Sequence, residues 1–68
     1  MTNYIVAYYL GTEFLFNRVN TPIPRVDDIV KYHTESKFID EFIVKEVCFE
    51  FYSKNEELNP ITVQLEWR

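Results

Sequence analysis

Phe42–Tyr52 reads FIVKEVCFEFY, and its apolar residues fall in an alternation that breaks once. Phe42 and Val44 keep a period of two, Lys45 and Glu46 interrupt, and Val47, Phe49 and Phe51 resume it. A period of two marks a strand, because successive side chains point to opposite faces. A helix would spread Val44, Val47 and Cys48 around too much of its circumference to leave one apolar stripe. The extra residue is what a β-bulge absorbs, so a strand bent sharply at Lys45–Glu46 is expected. Such a strand belongs in a curled sheet.

The rest of the chain supplies partners for it. Ile61–Arg68 (ITVQLEWR) alternates strictly, with Ile61, Val63, Leu65 and Trp67 on one face and Thr62, Gln64, Glu66 and Arg68 on the other. Tyr4–Leu10 (YIVAYYL) and Glu13–Val19 (EFLFNRV) are rich in β-branched and aromatic residues, which suit a pleated surface. Between them Gly11–Thr12 fits a two-residue type II′ turn, since Gly reaches positive φ without steric cost. That turn sets Leu10 opposite Glu13, Tyr8 opposite Leu15 and Tyr4 opposite Val19. Asn20–Arg25 is a connection, because Pro22 and Pro24 remove two backbone donors. Val26–His33 reads as a short strand centred on Ile29–Val30. A helix over residues 25–33 is the alternative, with Asp27 and Asp28 favourably placed in its first turn. Thr34–Lys37 forms a polar loop, Phe38–Glu41 its continuation, and Ser53–Pro60 a polar turn. The expected fold is all-β: one domain over residues 1–68, a strongly bent antiparallel meander of four to five strands forming a roll or partly open barrel. The helical alternative would make it α+β, in the order ββαββ.

At 68 residues the core is near the lower limit for independent stability. Cys48 is the single cysteine, which excludes an intrachain disulfide, and with His33 as the single histidine no metal or other cofactor is expected. Stability must come from rings or from self-association: Trp67, five Tyr and six Phe are many for so small an interior. The net charge of −4 and scattered basic residues argue against direct nucleic-acid binding, which rests on Lys and Arg neutralising phosphates. No apolar run approaches the roughly 20 residues of a membrane span. Met1–Thr2–Asn3 lacks the basic start of a signal peptide, so a cytoplasmic location is expected.

The run Pro24-Arg25-Val26-Asp27-Asp28-Ile29-Val30, then Phe42-x-Val44-x-x-Val47-x-Phe49-x-Phe51, then Ile61-x-Val63-x-Leu65, resembles small uncharacterised proteins of phages, prophages and bacteria. Their pattern is P-R-V-G-D-x-V, then Y-x-V-x-x-V-x-F-x-F, then V-x-V-x-L. The resemblance implies an SH3-like β-roll and, for the source, a phage or mobile element whose product acts in the host cytoplasm. It carries no functional residue. Asp27 stands where that pattern has glycine, and Thr34–Glu41 reads as an insertion relative to it.

Catalytic chemistry is not expected. His33 and Cys48 could serve as base and nucleophile only within hydrogen-bond reach and with a third group orienting the base. Asp27–Asp28 and Glu56–Glu57 are adjacent pairs, and neighbours on a strand diverge rather than converge as an acid and base must. Two features point instead to contact with a protein. Glu46, Cys48 and Glu50 alternate on the face opposite Val47, Phe49 and Phe51, and with Asp40, Glu41 and Glu66 could make an acidic stripe that docks on a basic groove; an ordinary water-facing sheet side is the simpler account. Tyr8, Tyr9, Tyr32 and Tyr52 could be interface anchors, or could cover the bent sheet on both sides. The expected partner is therefore a protein, in its most concrete form a basic groove of a host defence nuclease that this chain would inhibit as anti-CRISPR-type proteins do. The second expectation is a self-associating structural or accessory module, which buries a sheet face in a homodimer or ring.

Overall fold

The computed structural model describes residues 3–51 and 58–68. They form five strands and no helix: β1 (Asn3–Leu10), β2 (Glu13–Val19), β3 (Ile29–His33), β4 (Ile39–Phe49) and β5 (Leu58–Trp67). The strands make one sheet in the order β2-β1-β5-β4-β3, curled into a half-barrel. The all-β expectation holds, and residues 25–33 form a turn and a strand rather than a helix. The connectivity differs from a simple antiparallel meander. β1 and β5, neighbouring inner strands of the order, run parallel, with Val6 beside Ile61 and Tyr8 beside Val63; the other three pairings are antiparallel.

The linker after β2 is the cause. The chain leaves β2 at one edge of the sheet and enters β3 at the other, so Asn20–Asp28 must span from edge to edge. It is pinned on the way. Asn20 donates its N–H to the Tyr4 carbonyl (3.0 Å), and the Tyr4 hydroxyl donates to the Thr21 carbonyl (2.7 Å). Ile23 packs on the core, and Asp27 donates its N–H to the Val44 carbonyl (2.8 Å). Once β3 and β4 have formed, β5 returns between β4 and β1, and its unbroken alternation gives the sheet its most apolar inner face.

The core consists of Val6 and Tyr8 from β1, Phe42 and Val44 from β4, and Ile61, Val63 and Leu65 from β5. The expected bulge is present: Val44 lies opposite Leu65 and Glu46 opposite Gln64, which leaves Lys45 unpaired. Because of it, Val44 and Val47 both face the interior although they are three positions apart. Gly11 has φ 64° while Thr12 is not at positive φ, the signature of the type II′ turn. An added Cβ at Gly11 would meet nothing within 4 Å, so glycine is needed there for its backbone alone.

Beyond Tyr9 and Phe14 the expected hairpin register fails. A second bulge, at Leu15, sets Tyr8 opposite Phe16 and Ile5 opposite Val19. Phe16 thereby turns inward, and its ring stacks on Tyr8 (centroids 4.6 Å, 19°) and on Tyr32 of β3 (4.6 Å, 7°). β2 and β3 share no backbone pairing, so this three-ring stack is what draws the two edges of the sheet together. Strand β4 also begins earlier than expected, at Ile39. A three-residue loop, Glu35–Lys37, joins it to β3, with Lys37 at φ 68° and the Thr34 N–H donating to the Phe38 carbonyl (2.9 Å). Residues 38–41 therefore extend the hairpin rather than forming a loop.

Candidate functional site

With the interior filled by apolar side chains, chemistry or contact must lie on the outer face or the edges. On the outer face, β1 and β2 present Ile5, Ala7, Tyr9, Phe14, Asn17 and Val19, none of them charged. Tyr9 and Phe14 pack edge to face at 5.5 Å. Alongside, β5 and β4 present Thr62, Gln64, Glu66, Glu41, Ile43, Glu46 and Cys48. The outer face is thus an uncharged strip next to an acid-bearing strip.

The candidate residues are distributed unevenly over these surfaces. Tyr8 is only 8% exposed and belongs to the core, which removes it as a surface anchor. Burial raises its phenol above the ordinary tyrosine value, opposed by the nearby Arg18 guanidinium. Tyr32 is half-buried against Phe16, and its ring serves to close the half-barrel. Tyr9 is half-buried on the outer face. Glu46 and Glu50 are both exposed on the acid-bearing side, with the Glu50 N–H donating to the Pro60 carbonyl (3.2 Å). Tyr52 and the Glu56–Glu57 pair lie outside the described residues.

The acidic stripe is narrower than the sequence suggested. Asp40 pairs with Tyr32 and shares the inner side with Phe42, away from Glu41, Glu46 and Glu66. Glu41 is engaged by Arg68, whose Nη1 donates to its Oε1 at 2.7 Å. An exposed ion pair of this kind contributes little to stability, but it neutralises one end of the stripe. Glu46, Glu50 and Glu66 remain as its exposed acids of the outer face.

His33 and Cys48 do not meet. His33 pairs with Ile39 at one end of β4, and Cys48 stands nine positions further along the same strand. At about 3.3 Å per residue they are roughly 30 Å apart, far beyond proton-transfer reach. Among the described residues no three His, Cys, Asp or Glu side chains are grouped to hold a metal ion. No helix among them is long and apolar enough to cross a membrane.

The edges of the sheet were not singled out from the sequence, and they differ in kind. On β2, the Leu15 bulge interrupts the edge, and Arg18 Nη1 donates to the Asn17 carbonyl at 2.6 Å, covering one of its outward acceptors. On β3, Lys31 stands exposed at mid-strand. A third edge arises because β4 is longer than β3. β3 pairs only with Ile39–Ile43, and the Asp27–Asp28 turn bonds Val44; beyond that, β4 has a neighbour on one side only among the described residues.

Comparison with protein-family models, with curated proteins and with solved structures found no match.

Proposed function

We propose that this is a small non-enzymatic protein-binding protein whose contact surface is the outer face of the sheet. The observation that supports it is the division of that face into two adjoining strips, one uncharged around Tyr9 and Phe14, the other bearing Glu46 and Glu66. An apolar centre beside exposed carboxylates is what a partner with a hydrophobic spot and a basic rim would fit, and complementary charge selects partners and speeds encounter. In its finer form the protein is phage- or mobile-element-encoded, acts in the cytoplasm of the host, and inhibits a defence nuclease by occupying a basic groove. The sequence resemblance and the net charge of −4 support that form.

The test is capture from host lysate by the immobilised protein, beside a Phe14→Ser, Glu66→Lys double variant. Both substitutions lie on exposed positions, so the fold should be retained, with a melting temperature a few degrees lower because Phe14→Ser removes the ring contact with Tyr9. A stoichiometric partner held by the wild type and lost by the variant supports the reading. No stoichiometric partner for the wild type would sink it.

A second reading has its own observation: the uncharged strip could stack against the same strip of a second copy without bringing acids together. Light scattering at high concentration decides, since a strict monomer removes self-association.

A further inference from the structure

The overhang of β4 beyond β3 carries an inference that rests on the protein-binding reading and specifies the partner. The Glu50 N–H bonds inward to Pro60, and hydrogen bonds alternate along an antiparallel ladder. Cys48 and Glu46 therefore also bond inward, to Thr62 and Gln64. Val47 and Phe49 consequently aim their N–H and C=O groups outward, where they meet no hydrogen-bonding partner among the described residues. An open strand edge is a template for another strand, and natural sheets guard theirs with bulges, lysines or side-chain cover. The β2 edge has its bulge and Arg18, and the β3 edge has Lys31. The overhang's own bulge and lysine sit at its start, at Lys45–Glu46 beside the Arg25–Asp28 turn, and Val47–Phe49 beyond them has neither; both residues that present backbone outward are apolar.

We propose that Glu46–Phe49 is a strand-addition site for an extended segment of a partner protein. An antiparallel segment would occupy the place in the sheet that β3 leaves vacant, in line with the Arg25–Asp28 turn. Its residues opposite Phe49 and Val47 would face the inner side, next to a half-exposed phenyl ring and the core, and should be apolar. The next residue towards its C-terminus would lie on the outer side opposite Glu46, an exposed carboxylate, and should be Lys or Arg. The segment recognised is apolar, any, apolar, basic. Main-chain bonds would supply affinity and the alternating side chains specificity. A second copy of this chain is a poorer occupant, because pairing Val47 with Phe49 across a two-fold axis also sets Glu46 opposite Glu50, and like charges directly opposite are unfavourable.

The probe is the capped peptide Thr-Ser-Val-Thr-Val-Lys-Ser-Thr, titrated into the isotope-labelled full chain. Hydrogen exchange at the Val47 and Phe49 amides should slow by about tenfold at saturation, because these amides gain acceptors. Replacing the peptide lysine by glutamate should weaken binding severalfold. Phe49→Pro removes an N–H the fold does not use and should abolish the response, with melting temperature as the control. Should that variant unfold, N-methylation of the peptide's valines does the same from the other side and leaves the protein intact. Absence of slowing at millimolar peptide, or shifts centred on β2 or β3, would overturn the site. Slowing that depends on protein concentration without peptide would overturn the choice of occupant. If Phe49→Pro still captures the lysate partner, this inference falls and the protein-binding reading stands; if the wild type captures none, that reading falls by itself.

Discussion

Replacing Asp27 by glycine should make this protein more stable. Asp27 holds φ 76°, in the left-handed region where a Cβ crowds the following carbonyl oxygen. That conformation costs an ordinary L-residue roughly 1–2 kcal/mol, with Asp near the lower end. Glycine escapes the cost but has a freer unfolded chain, which takes back about 0.4–1 kcal/mol. The exposed Asp27 side chain makes no hydrogen bond or ion pair among the described residues, and the N–H that bonds Val44 at 2.8 Å survives the change. The net gain should be ~0.5 kcal/mol, which for a domain of this size raises the melting temperature by roughly 2–4 °C. Asp27→Asn removes the same charge while keeping a residue that tolerates positive φ, so it isolates electrostatics. Asp27→Ala should fall below the wild type by roughly 0.5–1 kcal/mol, since alanine bears the steric cost in full. Thermal melts by circular dichroism and urea titrations at neutral pH would give the order Gly, then Asp and Asn, then Ala. Alanine as stable as glycine, or glycine below aspartate, would refute the backbone argument.

Three further outcomes follow from the same structure. Gly11→Ala should destabilise by about 1 kcal/mol in urea denaturation, all of it from φ 64°, since the space around that position is open. A double-mutant cycle with Phe16→Ala and Tyr32→Ala should show a coupling of about 0.5–1.5 kcal/mol for rings stacked at 4.6 Å, and additive losses would mean the edges are held by something else. Tyr8 is an alkaline sensor of the core: its phenol is raised by burial, so the folded state holds the proton more tightly than the unfolded chain. Its contribution is complete below about pH 10 and is lost as pH rises through the folded value, so Tyr8→Phe should match the wild type at neutral pH and resist alkaline unfolding better.

Where residue type alone decides geometry, the fold was legible. The three-residue gap between Val44 and Val47 located the Lys45 bulge, Gly11 specified its turn, and the alternation from Ile61 to Trp67 marked β5. Where geometry depends on which surface a strand meets, the sequence was ambiguous. Both faces of β1 and β2 are apolar, so nothing in the alternation marks a departure from the register set by the turn, and the Leu15 bulge was hidden. Periodicity says that a strand has an inner face without naming its neighbour, which is why the parallel pairing of β1 with β5 could not be anticipated. The same limit governed the candidate site. Tyr8 and Tyr9 are adjacent and chemically alike, yet one is core and the other faces out. The open stretch of β4 is invisible in the sequence because it arises from the difference in length between two strands, and Phe38–Glu41 reads there as a continuation of the loop.

The parallel pairing of the first strand with the last also sets the order in which this molecule can be made. Val6 and Ile61, which touch in the interior, are far apart along the chain, and a sheet without β5 falls into two separate hairpins that share no strand. Contacts so distant in sequence are slow to form. A nascent chain emerging from the ribosome would hold its aromatic hairpin unpartnered until the residues up to Trp67 had cleared the exit, and would then complete its tertiary structure in a single late step.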